Sequence, residues 1–409
     1  MSSADSRHAV IVGAGPAGAV LANLLATRGV RVTLLERQAE FAREFRGEAL
    51  MPGGIAVLKS LGMDEVLETV PQITPQSFEF YANRKRVFRL EGELAGDTDL
   101  QPRIYSQPAL LEAIVAETRL RSDMNFERGA SVKELLHGNG RVVGLRVRTS
   151  EGERQIDADL VIGCDGRSSI VRRKAPLEVK SQDLPMDVLW SKLPAPDIWQ
   201  GKASVCACIG KGHLFIAYMA YDGLMQIAWI IPKGSFGELR ERGTDEWVSD
   251  MANHVPLELS DHLLKHKDGL VHPFLLSTAA DCVRRWSIPG AMVIGDAAHT
   301  MSPVGGQGVN IALRDAVVAA NHLVPVLQSG GSLEAIDAAA LRIEEERMPE
   351  VSRIQSLQAT PPKIMLRDTW WAELARQVPR LMRFAPVRAL ASRAAQPALF
   401  GTADVRLQV

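Results

Sequence analysis

The chain has only four cysteines among its 409 residues (Cys164, Cys206, Cys208 and Cys282), too few and too scattered for a disulfide framework. Cys206 and Cys208 alternate along an expected strand, which directs both thiols to one face. With no second cysteine pair, and His213 the only nearby imidazole, buried thiols are expected there and no metal. No apolar run is long enough to cross a bilayer. The opening MSSADSRHAV lacks a signal-peptide profile, because the apolar segment behind it is a strand broken by glycines. These absences point to a reducing, cytoplasmic compartment. Charge of one sign is lacking too. Forty-seven Lys and Arg against 48 Asp and Glu leave a net −1, which gives no bulk electrostatic case for nucleic acid. At 46% hydrophobic and 23% charged residues, the composition is that of an ordinary soluble enzyme, long enough for two domains. Nothing in it speaks to oligomeric state.

What the chain does carry begins near its N-terminus. Residues 8–12 form an apolar strand, followed by Gly13-Ala14-Gly15-Pro16-Ala17-Gly18. An alanine- and leucine-rich helix to about residue 28 leads to a second strand, 30–35, that ends in Glu36. Strand, glycine turn, helix, strand and acid make the dinucleotide fingerprint in its full context. Gly13 permits the tight turn, Gly15 lets the backbone approach a pyrophosphate, and Gly18 lets the helix pack closely on the strand. The helix N-terminus offers amide donors and partial positive charge to phosphates. Glu36, 18 positions after Gly18, is placed to accept from ribose hydroxyls. An acid there favours an unphosphorylated adenosine ribose, hence FAD or NAD ahead of NADP.

Arg43, Arg46 and Glu48 follow in a loop that runs through Met51-Pro52-Gly53-Gly54 into a helix over 55–61. Arg46 is either a solvated loop charge or a group beside the second half of the cofactor. A hairpin is expected over 77–81 and 86–90, and Ser106 reads as the N-cap of a helix over 107–118. Gln107 then either reaches a phosphate or ribose or is simply an exposed first-turn residue. A meander over 130–136, 142–149 and 154–156 precedes a buried strand, 158–163. That strand runs into Cys164-Asp165-Gly166-Arg167-Ser168-Ser169, an Asp-Gly turn that sets a carboxylate and amides at its C-terminal end. Ligands bind there in an open parallel sheet, although a helix cap alone also accounts for Asp165.

Four strand patterns, 187–192, 203–209, 213–220 and 225–231, indicate a second, antiparallel sheet. Trp190, His213, Tyr218 and Trp229 lie on it. Singly, each suits core or rim packing; as a group facing a cofactor they are the candidate substrate cavity. Helices over 236–253 and 258–266 and a short strand over 271–274 follow. An apolar strand, 291–294, then enters GDAAHTMSPVGGQGVNIALRD, residues 295–315, which leads into a helix over 309–327. Alone, this stretch reads equally as an ordinary turn or as a loop against which an electron-rich ligand lies. A long helix over 332–358 is expected to break at Pro361-Pro362. The segment 363–409 holds eight Lys or Arg, with Trp370, Trp371, Leu381, Met382 and Phe384. It reads first as a helical cap on the body, and second as a basic surface resting on anionic lipid.

Three separated segments, GAGPAG with Glu36, GCDGRSS at 163–169 and GDAAHTMSPVGGQG at 295–308, resemble those of the FAD-dependent aromatic hydroxylases. These are the group A flavoprotein monooxygenases of the para-hydroxybenzoate hydroxylase type, and the resemblance spans residues 8 to 356. It implies an α/β (α+β) fold: a Rossmann-type FAD-binding domain (1–75, 104–185 and 282–330), an interleaved antiparallel-sheet substrate domain (76–103 and 186–281) and C-terminal helices (331–409). It implies that Gly13, Gly15, Gly18 and Glu36 hold the ADP half of FAD, with Ala17 and Arg37 also in the cofactor set, and that Arg46 and Gln107 contact its ribityl-pyrophosphate region. Asp165, Gly295, Asp296, Gly308, Val309 and Asn310 complete the implied cofactor set. Pro303, Gly305 and Gly306 become the flavin-face loop, acting through backbone.

The implied activity is an NADH- or NADPH-consuming, O2-dependent hydroxylation of an apolar aromatic or quinone-like small molecule through a flavin C4a-hydroperoxide, in secondary metabolism. With no second glycine fingerprint, NAD(P)H is expected to bind transiently. His299 is expected to stabilise the loop and not to act as a base. Two features resemble other branches of the scaffold. Gly47-Glu48-Ala49-Leu50-Met51-Pro52 resembles the GExxxP turn of flavin halogenases and geranylgeranyl reductases. Ile227-Ala228-Trp229-Ile230-Ile231-Pro232 resembles the halogenase WxWxIP pattern with its first Trp replaced. Halogenation and prenyl-chain reduction are therefore the alternatives, with a non-catalytic FAD-binding redox sensor behind them.

Overall fold

The computed structural model describes residues 6–41, 48–91, 98–181, 183–199, 203–210, 212–365, 381 and 384–409. Its central sheet has six strands, in the order Ser287–Ile288, Ala291–Val293, Leu160–Gly163, His8–Val12, Arg31–Glu36 and Asn125–Arg128. All neighbours run parallel except the edge pair Ser287–Ile288 and Ala291–Val293. Val10 is opposite Thr33 on one side and Val161 on the other, so the first strand sits where the strand order reverses. That reversal opens a crevice at the carboxyl ends of the strands. Strand residues Ala9, Val10, Ile11, Leu160, Val161 and Ile162 are all buried, as a sheet covered on both faces requires. Helix Pro16–Ala26 lies against helix Gln307–Gln328, which in turn packs on the long helix Leu333–Met365. The architecture is the expected α/β (α+β) one.

A second sheet of seven strands has the order Val271–Ala279, Asp183–Pro194, Leu224–Pro232, His213–Met219, Ser204–Gly210, Ser77–Ala82 and Lys85–Glu91. It is antiparallel except where Ser204–Gly210 runs parallel to Ser77–Ala82. One face packs under helices Thr244–Ala252 and Leu257–Lys265 through Trp229, Trp247, Val248, Met251 and Leu263. The opposite face carries Met186, Val188, Ala228 and Ile230, and Val304 of the glycine-rich loop packs against it. Three small sheets accompany these among the described residues: the meander Ser131–Gly138, Arg141–Thr149 and Gly152–Asp157, a short sheet of Ala49–Leu50, Arg103–Tyr105 and Gln72–Ile73, and the pair Val179–Lys180 and Cys282–Val283.

Three local expectations change. The helix expected over 236–253 is two, Phe236–Arg242 and Thr244–Ala252, because Gly243 between them has φ 89°. The strand expected over 271–274 extends through Ala279 by pairing with Asp183–Pro194. Pro361-Pro362 does not break the long helix, which continues to Met365. The preceding turn is pinned from outside: the Gln358 amide donates to Ser302 O (3.1 Å) and Val304 O (2.7 Å) and accepts from Ser302 N (3.1 Å). The prolines therefore cost hydrogen bonds only in the final turn. Cys206 and Cys208 do share a buried face, with Sγ atoms 3.3 Å apart, and no metal-holding cluster occurs among the described residues. No helix of the described residues is long and apolar enough to cross a membrane.

Candidate active site

The three glycine-containing segments meet at the mouth of the central sheet. A Cβ on Gly13, whose φ is 98°, would lie 2.6 Å from Cys164 O, and a Cβ on Gly18 would lie 2.0 Å from Gly13 O. The first turn is thus pressed against the Asp165 turn at positions that exclude any side chain. At Gly15 the same construction meets nothing within 4 Å, so open space lies beside that backbone. The third segment closes the group: Ile294 N donates to Gly163 O at 3.0 Å, and a Cβ on Gly295 would lie 3.1 Å from Ala17 Cβ. Glu36 is buried, its carboxylate accepting from Ala14 N (3.0 Å) and Gln38 N (2.9 Å).

Asp165 Oδ2 accepts from Ile170 N (2.6 Å) and Val171 N (3.3 Å), the start of helix Ile170–Lys174, whereas its buried Oδ1 has no partner among the described residues. Burial pushes this carboxyl up, against the hydrogen bonds that hold it down. Asp296 is 39% exposed, with Arg167 Nε 3.8 Å away. Gln107 is buried at the first turn of helix Gln107–Arg121, where Ser106 accepts from Ala109 N as the expected cap. Arg37 is exposed just beyond Glu36. Arg43 and Arg46 lie outside the described residues.

The glycine-rich loop turns through Gly305 (φ 77°) and Gly306 (φ 62°) into helix Gln307–Gln328. Gly306 N donates to Pro303 O at 3.1 Å, so that amide is used within the turn. The first-turn amides of Gly308 and Val309 lack an intrahelical acceptor by helix geometry. A Cβ on Gly308 would stand 4.0 Å from Asp296 Oδ1. The Asn310 side chain is committed to protein, accepting from Met51 N and donating to Gly306 O, both at 2.9 Å. Behind the loop lies an ionic network that the sequence did not announce. Asp315 is fully buried and accepts from Gly295 N (2.9 Å), His299 Nε2 (2.6 Å) and Arg347 Nε (2.8 Å). Burial pushes its carboxyl up, but His299 and Arg347 outweigh that and hold it at about 2. His299 is therefore a buried brace of the loop.

The four candidate substrate residues do not share one face. Side chains alternate along a strand, and the register places Trp190 opposite Ala228 and Tyr218 opposite Gln226. Trp190 and Tyr218 belong to the face that meets Val304. His213 and Trp229 belong to the other, where the two rings stack at 5.9 Å, His213 lies 4.1 Å from His254, and Trp229 stacks on Trp247 at 6.2 Å. Burial and His254 hold His213 down to about 4. These two are packing beneath helices. On the loop-facing side, sequence reasoning missed a buried polar row. Lys192, Gln226 and Tyr218 lie side by side across three strands, and Lys192 Nζ reaches Asp222 Oδ2 (2.7 Å) and Glu48 Oε1 (3.5 Å). A lysine inside the apolar run Val188-Leu189-Trp190-Ser191-Lys192-Leu193 was the available signal.

A family model described as an FAD binding domain matches residues 7–354. The chain belongs to that family. The chain is 33% identical over 373 residues to 6-methylpretetramide 4-monooxygenase of Streptomyces rimosus, covering 89% of this chain and 86% of that protein. Its fold is similar to that of p-nitrophenol 4-monooxygenase PnpA from Pseudomonas putida DLL-E4, with TM-score 0.80, 20% identity and coverage of 98% and 99% of the two chains. It is also similar to that of CmlS, a flavin-dependent halogenase, with TM-score 0.74, 20% identity and coverage of 98% and 74%.

The residues present fit the family's cofactor. Open space beside Gly15 faces the N-terminus of helix Pro16–Ala26, which suits a pyrophosphate. The unpartnered Asp165 Oδ1 and the part-exposed Asp296 carboxylate are acceptors of the kind that polyol and ribose hydroxyls need. These groups line the crevice between the first strand and the glycine-rich loop.

Proposed function

We propose that this FAD-dependent monooxygenase hydroxylates an apolar aromatic or quinone-like small molecule, with O2 and NADH or NADPH as co-substrates. The observation that carries the reading is the apolar sheet face of Trp190, Ala228, Ile216 and Leu276 lying directly against Val304 of the glycine-rich loop. That face offers a ring a flat apolar wall beside the cofactor position and little access for water. On this reading Gly13, Gly15, Ala17, Gly18, Glu36 and Arg37 hold the adenosine and pyrophosphate half of FAD. Gln107, Asp165, Gly295 and Asp296 hold the remainder, and the Gly308 and Val309 amides face the electron-rich edge of the ring system. When bound, FAD would carry the electrons of NADH or NADPH and supply the activation of oxygen. The protein's share is to bind and orient the ring, exclude water, and keep loop 303–306 rigid through Asn310 and Gln358. Segments 1–75, 104–185 and 282–330 are then the cofactor domain, and 76–103 with 186–281 the substrate domain. A cytoplasmic location accompanies this reading, in keeping with four unpaired cysteines.

Halogenation is the second reading, because the structure places a buried lysine on the loop-facing sheet. Lys192 is clasped between two carboxylates, which suits a fixed charge more than an amine that carries halogen. One assay separates the readings: oxygen consumption and NAD(P)H oxidation with a panel of polycyclic phenols, with and without halide. Hydroxylation gives a product heavier by one oxygen atom at equal rate in both conditions. A halide-dependent product would overturn it.

A further inference from the structure

The polar row on the loop-facing sheet is built for a ligand of particular charge. Glu48 enters from the loop before strand Ala49–Leu50, which lies beside the glycine-rich loop: a Cβ on Gly306 would stand 3.1 Å from Met51 Cε and 3.7 Å from Ala49 Cβ. Glu48 and Lys192 are both buried, at 6% and 2% side-chain exposure. Asp222, at 33%, connects the row to solvent. Three buried polar atoms of the row have no hydrogen-bond partner among the described residues: Glu48 Oε2 and both amide atoms of Gln226. Unmatched buried atoms are costly, and their clustering beside an apolar wall marks a place where a ligand or water completes them. Tyr218 stands between the apolar and polar parts of the face, since Ile216 precedes it and Gln226 is its cross-strand neighbour.

The charges decide what the row accepts. Two carboxylates enclose one ammonium, so the ionised row carries an excess negative charge, and its one lysine is already flanked on both sides. An incoming carboxylate meets repulsion in a poorly solvated site. An incoming hydroxyl donates to Glu48 Oε2 in a charge-assisted hydrogen bond. We propose that Glu48 and Tyr218 form the polar end of the substrate cavity, with Lys192 and Asp222 as positioning residues, and that this end selects a neutral, hydroxyl-bearing ring and rejects ring carboxylates. The inference rests on the aromatic hydroxylase reading and narrows its substrate class.

Glu48 is faced by Lys192 from strand Asp183–Pro194, Asp222 from the turn after His213–Met219, Tyr218 from that strand and Tyr105 from Arg103–Tyr105. Burial raises the Glu48 carboxyl to about 6, against the pull of Lys192, and Asp222 adds to the rise. Below that value Glu48 is protonated and neutral; above it the carboxylate is present. Affinity for a neutral hydroxyl ligand therefore rises with pH through about 6, and affinity for a carboxylate falls.

The test is calorimetric titration of the FAD-loaded protein with 2-naphthol and with 2-naphthoate from about pH 5 to about pH 7, with the flavin absorbance recorded alongside. Opposite pH trends in the wild type support the proposal. Glu48→Gln should flatten both trends and weaken naphthol binding by about tenfold at the upper pH. Lys192→Met should shift the midpoint upward, since the ammonium that favours the carboxylate is gone. The wild-type pH series needs no variant and so stands even where a substitution impairs folding. Parallel trends for the two probes, or a Glu48→Gln protein with the wild-type profile, overturn it. If neither probe binds the FAD-loaded wild type, the aromatic reading itself fails and the proposal falls with it.

Discussion

Two carboxylates near the crevice do opposite things, and their surroundings say which. Asp296 is part-exposed, with Arg167 Nε 3.8 Å away as its one charged partner among the described residues, so its acceptors remain open to a ligand. Asp296→Ala should leave folding intact and weaken FAD retention by at least about tenfold, the loss of a charge-assisted hydrogen bond. A purified variant with the wild-type ratio of flavin to protein absorbance would remove the aspartate from the site. Asp315 is fully buried and its hydrogen bonds are all internal, to Gly295, His299 and Arg347. Asp315→Asn takes from buried Arg347 one of its two counter-charges, leaving Glu350, which Arg314 shares, and should cost about 3–5 kcal/mol of stability. The pH dependence has a definite sign. The folded carboxyl sits at about 2, below its ordinary 3.8, so the stabilisation is complete above the ordinary value and is lost as pH falls toward 2. The gap between wild-type and Asp315→Asn melting temperatures should therefore narrow across that acid window and stay constant above it. A gap independent of pH would show that Asp315 contributes packing alone.

At the scale of elements, the loop over 302–306 is held by a helix that lies far from it in sequence. Gln358 bonds Ser302 through both its backbone groups and Val304 through its carbonyl, and Gln355 bonds Thr300 O at 3.1 Å. Gln358→Leu keeps the volume and strands three backbone groups. It should cost about 1–3 kcal/mol and raise the share of NAD(P)H oxidation that ends in hydrogen peroxide and not in product. An unchanged ratio of product to NAD(P)H would mean that the loop holds its shape unaided. This dependence on remote partners also explains what was legible in the sequence. The fingerprint 13–18 was readable because its glycines answer local demands: the turn at Gly13 and the helix–strand approach at Gly18 are settled within a few residues. The cap at Ser106 was readable for the same reason. The substrate face was not. Alternation tells which residues of one strand share a face, but only cross-strand register reveals that Trp190 and Tyr218 look at Val304 while His213 and Trp229 look away. Glu48 and Lys192 are 144 positions apart, and no local pattern joins them. Pro361-Pro362 misled because the anchoring of Gln358 is likewise non-local.

Across the whole molecule, the described part of the C-terminal region closes onto the cofactor domain. Helix Ala385–Phe400 reaches helix Pro52–Ser60, where a Cβ on Gly53 would lie 2.9 Å from Phe400 O. The final residues then run back over the body. Glu350 Oε1 accepts from Thr402 N (2.7 Å) and Ala403 N (3.0 Å), Arg28 Nε donates to Val409 O (2.9 Å), and Asn321 exchanges bonds with Arg406 O and Gln408 N (both 2.8 Å). Val405, Leu407 and Val409 pack on the main core. Glu350 is also the partner of Arg314 and Arg347, and Arg347 is the partner of Asp315, which holds the Gly295 amide. The tail and the cofactor crevice are thereby tied through one buried chain of charges. Of the basic, aromatic and apolar residues that would rest on lipid, Arg367, Trp370, Trp371, Arg376, Arg380, Met382 and Arg383 lie outside the described residues. Removing residues 401–409 tests the tie. It takes away several hydrogen bonds to charged groups, so the truncated protein should lose on the order of 3 kcal/mol, and its FAD content should fall because Glu350 and Arg314 lose their tail partners. Co-sedimentation with anionic liposomes should be the same for both forms if this end only clasps the body. A truncated protein with unchanged melting temperature and flavin content, yet reduced liposome binding, would reverse the assignment and make the C-terminal end a membrane contact.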